Sequence, residues 1–143
     1  MQHASDLEKA LAIALKAHKG QIDKSGQPYI LHPIRVMMQL EEAKAKVVAL
    51  LHDVVEDSDI TLNDLREEGF DSEIIETVAC LTKDAHEDYT DYILRIKHNR
   101  LARLVKLADL QDNLNANRLQ TLQPNDCLRM ERYLKAKKIL TEK

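Results

Sequence analysis

The chain has few of the residues on which the common nucleotide-binding folds depend. Its 143 residues include only three glycines, at positions 20, 26 and 69. Glycines this far apart can form neither the G-x-G-x-x-G turn of dinucleotide-binding folds nor the G-x-x-x-x-G-K-[ST] phosphate loop. Tryptophan is absent and aromatic residues make up 3% of the chain. Stacking of nucleic-acid bases on aromatic side chains is therefore not expected.

Long apolar runs, paired cysteines and excess positive charge are also lacking. No uninterrupted apolar run approaches the roughly 20 residues that a membrane span needs, and the N-terminus does not resemble a signal peptide. Cys80 and Cys127 form no C-x-x-C motif, so neither a disulfide framework nor a thiolate zinc site is indicated. The net charge is −3 and the basic residues are scattered, which argues against a nucleic-acid polymer or a membrane as partner. We expect a cytoplasmic protein that acts on a small molecule, and the sequence does not indicate its oligomeric state.

The pattern of apolar residues predicts an all-α fold in a single domain over residues 1–143. No segment alternates apolar and polar residues for long enough to predict a sheet, and no linker divides the chain. Residues 43–57 are apolar on most of the helix circumference, which is typical of one helix buried through the centre of a fold. Other helices are predicted by start signals at Ser5, Pro33, Thr61 and Asp71 and by apolar spacing over 89–97, 101–114 and 126–140.

Four ionisable residues follow one another inside the most apolar predicted helix: His52, Asp53, Glu56 and Asp57. Buried charges cost several kcal/mol each unless they are paired or coordinate a metal, so this pattern indicates a compensating cation. In one continuous helix His52 and Glu56 share a face, as do Asp53 and Asp57. The residues alone leave an alternative, in which both carboxylates end the helix in solvent and His52 is a packed core histidine.

Two further segments offer side chains that could complete a metal site. His32 precedes Pro33 at a predicted helix start, and Asp109 lies in an apolar helix with Lys106 and Asn113 on its face. Taken alone, such an aspartate is more often half-exposed or a cap. Together with the histidine and aspartate of the central helix, however, these residues form a nitrogen and oxygen donor set. That set suits Mn²⁺, Fe²⁺ or Zn²⁺ better than Ca²⁺, and its open positions indicate hydrolysis.

Four segments in this order resemble the hydrolase domain of the RelA/SpoT homologues, a branch of the HD-domain metal-dependent phosphohydrolases. They are AHKGQIDKSGQPYILHPIRV (17–36), LLHDVVEDSDIT (50–61), VACLTK (78–83) and LVKLADLQDNL (104–114). The resemblance spans nearly the whole chain and implies a compact helical bundle of the HD type. It also implies a stand-alone small alarmone hydrolase that removes pyrophosphate from the 3′ position of (p)ppGpp.

The resemblance implies a role for each matching position. Four side chains would ligate the metal, usually manganese in this family: His32, His52, Asp53 and Asp109. Two carboxylates would orient or activate the attacking water: Glu56 and Asp57. Three side chains would line the nucleotide pocket: Lys24, Ser25 and Asn113. Further cations are candidates for holding the diphosphate: Lys83, Lys106 and Arg118.

One position departs from the family pattern. Long members carry an arginine that stacks on the guanine base just before the Lys-Ser-Gly stretch, whereas this chain has Asp23. A carboxylate cannot supply that cation–π contact. Alternative substrates are therefore the adenosine alarmone (p)ppApp or NADPH, the latter cleaved by a phosphatase. A non-catalytic alarmone-binding module is a further alternative, against which the intact Glu56–Asp57 pair argues.

Overall fold

The computed structural model describes residues 2–115 and 123–142, and the regular structure in these ranges is helical. Within them, the only pairing of extended backbone is an isolated antiparallel bridge between Ile22 and Pro28. The predicted all-α class is thus confirmed. In chain order the helices are α1 (Gln2–Ala17), α2 (Leu31–Met38), α3 (Ala43–Leu51), α4 (Val54–Asp57), α5 (Leu62–Glu67), α6 (Ser72–Leu81), α7 (Tyr89–Lys97), α8 (Arg100–Asn113) and α9 (Pro124–Thr141).

Helix α3 lies at the centre of the fold and packs against α1, α2, α6 and α8. Ala45 and all residues from 47 to 51 are buried, so the core around this helix is aliphatic, as the composition requires. Full burial of a leucine such as Leu50 contributes about 1.5–3 kcal/mol. The residues that directly follow α3 are therefore held at the centre of the bundle.

The prediction of one continuous helix over residues 43–57 is wrong. Helix α3 ends at Leu51 and α4 begins at Val54, so His52 and Asp53 lie between them. The Nδ1 atom of His52 donates a hydrogen bond to the Ala49 carbonyl over 2.5 Å. In a continuous helix that carbonyl would accept from the amide of residue 53, so the histidine side chain occupies the acceptor that the helix would use.

The helix starts predicted at Thr61 and Asp71 are confirmed, whereas α2 begins at Leu31, before the start predicted at Pro33. Thr61 and Asp64 form a reciprocal capping box at the start of α5, and the Asp71 carboxylate caps α6 through the amide of Ile74. Helix α1 instead begins at Gln2, before the start predicted at Ser5, because no proline or glycine stops the helix from extending towards the N-terminus. Among the described residues, no helix is both long enough and apolar enough to cross a membrane.

Candidate metal centre and adjoining cavity

Four side chains from three parts of the chain converge next to the centre of the bundle. His32 comes from α2, His52 and Asp53 from the junction of α3 and α4, and Asp109 from α8. Each offers one ligand atom, and these atoms all lie within 4.8 Å of one another. Nε2 of His32 lies 2.8 Å from Oδ1 of Asp109, and Nε2 of His52 lies 3.1 Å from Oδ2 of Asp53. The structure thus brings together the four side chains that the sequence suggested as ligands.

Hydrogen bonds outside the cluster set the orientation of both imidazole rings. Nδ1 of His52 donates to a backbone carbonyl, and Nδ1 of His32 donates to the Asp112 carboxylate over 2.6 Å. When each ring is neutral, a proton on Nδ1 serves these hydrogen bonds and leaves the lone pair of Nε2 facing the cluster. The Tyr29 hydroxyl donates to Oδ2 of Asp53 over 2.5 Å. Outer partners of this kind are typical of histidine and carboxylate metal ligands.

The electrostatics of the cluster favour a positive charge at its centre. Burial alone would lower the pKa of His52, yet the nearby carboxylates of Asp53 and Asp109 raise it well above its ordinary value. Burial would likewise raise the pKa of Asp109, but Lys106 and the two imidazoles hold it well below its ordinary range. A divalent cation can supply the charge that these groups stabilise. Two imidazole nitrogens and two carboxylate oxygens suit a first-row divalent metal, so the residues fit the ion that the resemblance implies.

Asp109 is also bound by two neighbours on its own helix. The ammonium of Lys106 lies 2.9 Å from Oδ2 of Asp109, and the Asn113 amide donates to Oδ1 over 3.2 Å. The Lys106 side chain is only 12% exposed, and its ion pair with Asp109 outweighs burial and raises its pKa well above the ordinary value. Lys106 therefore stabilises Asp109, one of the candidate metal ligands. Its charge is already paired, which argues against the role in diphosphate binding suggested from the sequence.

A cavity of about 460 Å³ opens beside the cluster. This volume lies within the range of roughly 300–1,000 Å³ typical of small-molecule sites. Its walls include His32, Asp53 and Asp109, and α9 closes one side with Arg129 and Tyr133. The three residues suggested for the nucleotide pocket also line it: Lys24, Ser25 and Asn113. Lys83 lines it too, whereas Arg118 lies outside the described residues.

Glu56 and Asp57 differ in their surroundings, although sequence reasoning does not distinguish them. Glu56 lines the cavity, and its Oε1 atom accepts a 2.6 Å hydrogen bond from the backbone amide of Lys83. Desolvation at the cavity wall raises the pKa of Glu56. Asp57 is exposed like Glu56, and desolvation raises its pKa as well, but it does not line the cavity. The geometry therefore distinguishes one of the two carboxylates as the group that faces a bound molecule.

Asp23 organises the loop between α1 and α2. Its Oδ1 atom accepts hydrogen bonds from the amide of Ser25 (2.9 Å), the hydroxyl of Ser25 (2.7 Å) and the amide of Gln27 (3.0 Å). Gly26 lies at the turn with φ of +85°, a conformation that glycine adopts at little cost. The carboxylate at this position thus holds the loop that carries Lys24 in a fixed shape.

Sequence reasoning missed Tyr29, Arg35 and Asp112. Nε and Nη2 of Arg35 donate to the two carboxylate oxygens of Asp112 over 2.8 and 3.1 Å. A signal was present, because Asp112 follows Asp109 by three residues and Arg35 follows His32 by three, which places each pair on one helix face. No comparable spacing points to Tyr29.

The chain has similar sequences among proteins of known activity, although it matches no protein-family model. It is 33% identical over 125 residues to a guanosine-3′,5′-bis(diphosphate) 3′-pyrophosphohydrolase of Aquifex aeolicus, which covers 79% of this chain. It is 34% identical over 140 residues, or 88% of the chain, to the bifunctional (p)ppGpp synthase/hydrolase SpoT of Escherichia coli K12. The chain spans 18% and 20% of the lengths of these two relatives.

A solved structure has the same fold. It is described as "A metazoan ortholog of SpoT hydrolyzes ppGpp and plays a role in starvation responses". The TM-score is 0.77 at 25% sequence identity, and the match covers 96% of this chain and 86% of the other. The helical arrangement found here is therefore that of a known hydrolase over nearly its full length.

Proposed function

The chain belongs to the family of RelA/SpoT-type HD hydrolase domains, and from this premise we propose that it removes the 3′-pyrophosphate of a guanosine alarmone, (p)ppGpp. The observation that carries the proposal is the cluster of ligand atoms within 4.8 Å, opening onto a cavity of about 460 Å³. A site of this kind places phosphate groups beside a divalent ion. It needs no glycine-rich loop, in keeping with the composition.

His32, His52, Asp53 and Asp109 would hold the ion, which we propose to be Mn²⁺. When bound, a divalent cation supplies Lewis acidity, which polarises a phosphoryl oxygen and makes a water molecule more acidic. The chain's own part is to present two neutral imidazoles and two carboxylates in fixed orientations. The bonds from Nδ1 of each histidine keep the Nε2 lone pairs available for this role.

Glu56 would position the attacking water and accept its proton. One carboxylate oxygen of Glu56 is held by the Lys83 amide, which leaves the other free to accept a proton from the water, as a general base does. The water oxygen attacks the phosphorus bonded to the 3′ oxygen. The bond between that phosphorus and the 3′ oxygen breaks, the 3′ oxygen takes up a proton, and pyrophosphate leaves. Asp57, which does not line the cavity, would act only on the electrostatics of this step.

The remaining cavity residues would hold the nucleotide. Lys24 and Lys83 bring positive charge to the cavity wall, where the diphosphate would lie, and Ser25 and Asn113 provide polar groups beside them. Asp23 is engaged within its own loop and cannot stack on a base. The proposal therefore rests on recognition of phosphates and an ion.

A substrate panel tests the function. The purified chain, loaded with Mn²⁺, is incubated with ppGpp, ppApp and NADPH, and released pyrophosphate and phosphate are quantified separately. We expect pyrophosphate from ppGpp. Absence of release from ppGpp by a protein shown to bind Mn²⁺ would overturn the proposal, and release of single phosphate from NADPH alone would indicate a phosphatase.

Tyr29→Phe removes the hydroxyl that donates to Asp53 and leaves the ring in place. Loss of an outer partner of a metal ligand typically costs about 10- to 100-fold in metal affinity, and we expect a loss of that size for Mn²⁺. Titration of Mn²⁺ into the chelator-treated protein measures it. Tyr133→Phe is the matched control, since it removes a hydroxyl from the cavity wall that α9 forms. An equal loss in both variants would contradict the role of Tyr29.

A further inference from the structure

Arg35 connects the open cavity to one of the candidate metal ligands. Its guanidinium binds Asp112 through two hydrogen bonds, and Asp112 in turn accepts the Nδ1 proton of His32 over 2.6 Å. All three side chains come from α2 and α8, which pack against each other. Two successive contacts, Arg35 to Asp112 and Asp112 to His32, thus connect the cavity to the metal cluster.

The contact between Arg35 and Asp112 is strengthened by the burial of the carboxylate. Asp112 is 5% exposed, and its Oδ2 atom accepts from both His32 and Arg35. A buried carboxylate is costly unless a cation is hydrogen-bonded to it, and the bidentate pair with arginine is among the strongest such arrangements. Arg35 therefore holds Asp112 in the orientation that directs Nε2 of His32 at the cluster.

The Nη1 nitrogen of Arg35 is not bound to Asp112. Nε and Nη2 face the carboxylate, so in a planar guanidinium the two N–H groups of Nη1 point elsewhere. No described residue accepts a hydrogen bond from Nη1, the side chain is 32% exposed, and Arg35 lines the cavity. A cationic fork facing a cavity next to a metal cluster is suited to a phosphoryl oxygen.

Resting on the proposed function, we propose that Arg35 binds a phosphoryl oxygen of the substrate diphosphate through Nη1 while Nε and Nη2 hold Asp112 against His32. Asp112 is then a positioning residue. One side chain contacts the substrate and orients a metal ligand, so filling the diphosphate subsite also steadies the ion. Lys106, another basic residue of the cavity wall, is bound to Asp109.

Binding of inorganic pyrophosphate tests the substrate contact without requiring turnover. Calorimetric titration of the Mn²⁺-loaded protein should show affinity for pyrophosphate weakened about 10- to 100-fold in Arg35→Gln, the loss expected for one charged hydrogen bond. Arg35→Lys keeps the charge but cannot make the three-way contact, so we expect an intermediate affinity. Arg66→Gln, an exposed arginine that does not line the cavity, is the matched control.

Metal affinity and a proton spectrum test the positioning role. Asp112→Asn should weaken Mn²⁺ binding about 10- to 100-fold. In NMR spectra of the metal-free protein it should also shift the far-downfield resonance of the Nδ1 proton of His32 upfield, because an amide oxygen is a weaker acceptor than a carboxylate. Arg35→Gln should shift that resonance and weaken Mn²⁺ binding less than Asp112→Asn does.

The outcomes separate this inference from the proposed hydrolysis. If Arg35→Gln binds pyrophosphate as tightly as the unchanged chain, or the unchanged chain binds none, the Arg35 subsite is overturned even if ppGpp is hydrolysed. If pyrophosphate binding falls in Arg35→Gln but no alarmone is cleaved, the proposed function fails and the subsite stands. An unchanged Nδ1 resonance in Asp112→Asn would overturn the positioning role.

Discussion

Asp53→Asn is expected to abolish metal-dependent hydrolysis while leaving the fold intact. An asparagine side chain at this position would keep the shape of the aspartate and an oxygen for the Tyr29 hydroxyl, but it would bring no negative charge to the cluster. Charge stabilisation by a metal is worth several kcal/mol in the transition state, so we expect kcat/KM to fall by about a thousandfold or more. Steady-state assays of pyrophosphate release from ppGpp measure the loss.

Thermal unfolding with and without Mn²⁺ separates this effect from misfolding. An ion at about 100 times its Kd adds about 2.7 kcal/mol to the free energy of unfolding, which is about 10 °C in Tm for a domain of this size. The unchanged chain should show this gain on adding Mn²⁺, and Asp53→Asn should not. Asp91→Asn, an exposed carboxylate on α7, is the control. Equal turnover by metal-loaded and metal-free protein would contradict the prediction.

Glu56→Gln is expected to lower kcat about 10²- to 10⁴-fold, the usual contribution of a general base. The amide oxygen of glutamine can still accept the hydrogen bond from the Lys83 amide, so the side chain should keep its place without accepting a proton. Affinity for Mn²⁺ and KM for ppGpp should change little, because Glu56 is not one of the four clustered ligands. Single-turnover assays together with Mn²⁺ titration measure these quantities.

Asp57→Asn is the matched comparison for this prediction. Asp57 is adjacent in sequence and carries the same charge, but it does not line the cavity. We expect the loss of kcat in Asp57→Asn to be at least about tenfold smaller than the loss in Glu56→Gln. This difference would identify Glu56 as the carboxylate that accepts the proton. If Asp57→Asn is the more damaging variant, the assignment of the base is wrong.

The candidate metal ligands could be grouped from sequence because the chemistry of each is visible in its own segment. A histidine and an aspartate in an otherwise apolar helix, a His-Pro pair and an aspartate in a second apolar helix each conflict with simple burial. Their order along the chain then carries the family resemblance. The all-α class and the helix starts at Thr61 and Asp71 followed from local patterns of the same kind.

The contacts that sequence reasoning missed depend on the tertiary structure. The break at His52 is made by a side chain bonding to a backbone carbonyl, and the apolar pattern on either side of it is continuous. Asp112 and Arg35 are 77 residues apart, so helical spacing gives the face of each but not the element opposite. Glu56 differs from Asp57 because it lines the cavity and because the amide of Lys83, from beyond α6, donates to it.

The interruption between α3 and α4 divides the site into parts that differ in local stability. His52 directly follows α3, whose residues 47–51 are fully buried and should exchange their amide hydrogens only on global unfolding. Glu56 lies in a single helical turn whose last carbonyl, that of Asp57, is held by the Gln21 amide. Such a turn can open locally at much lower free energy. Substitutions in this turn would therefore alter the proton-accepting side chain without loosening α3, the helix that His52 follows.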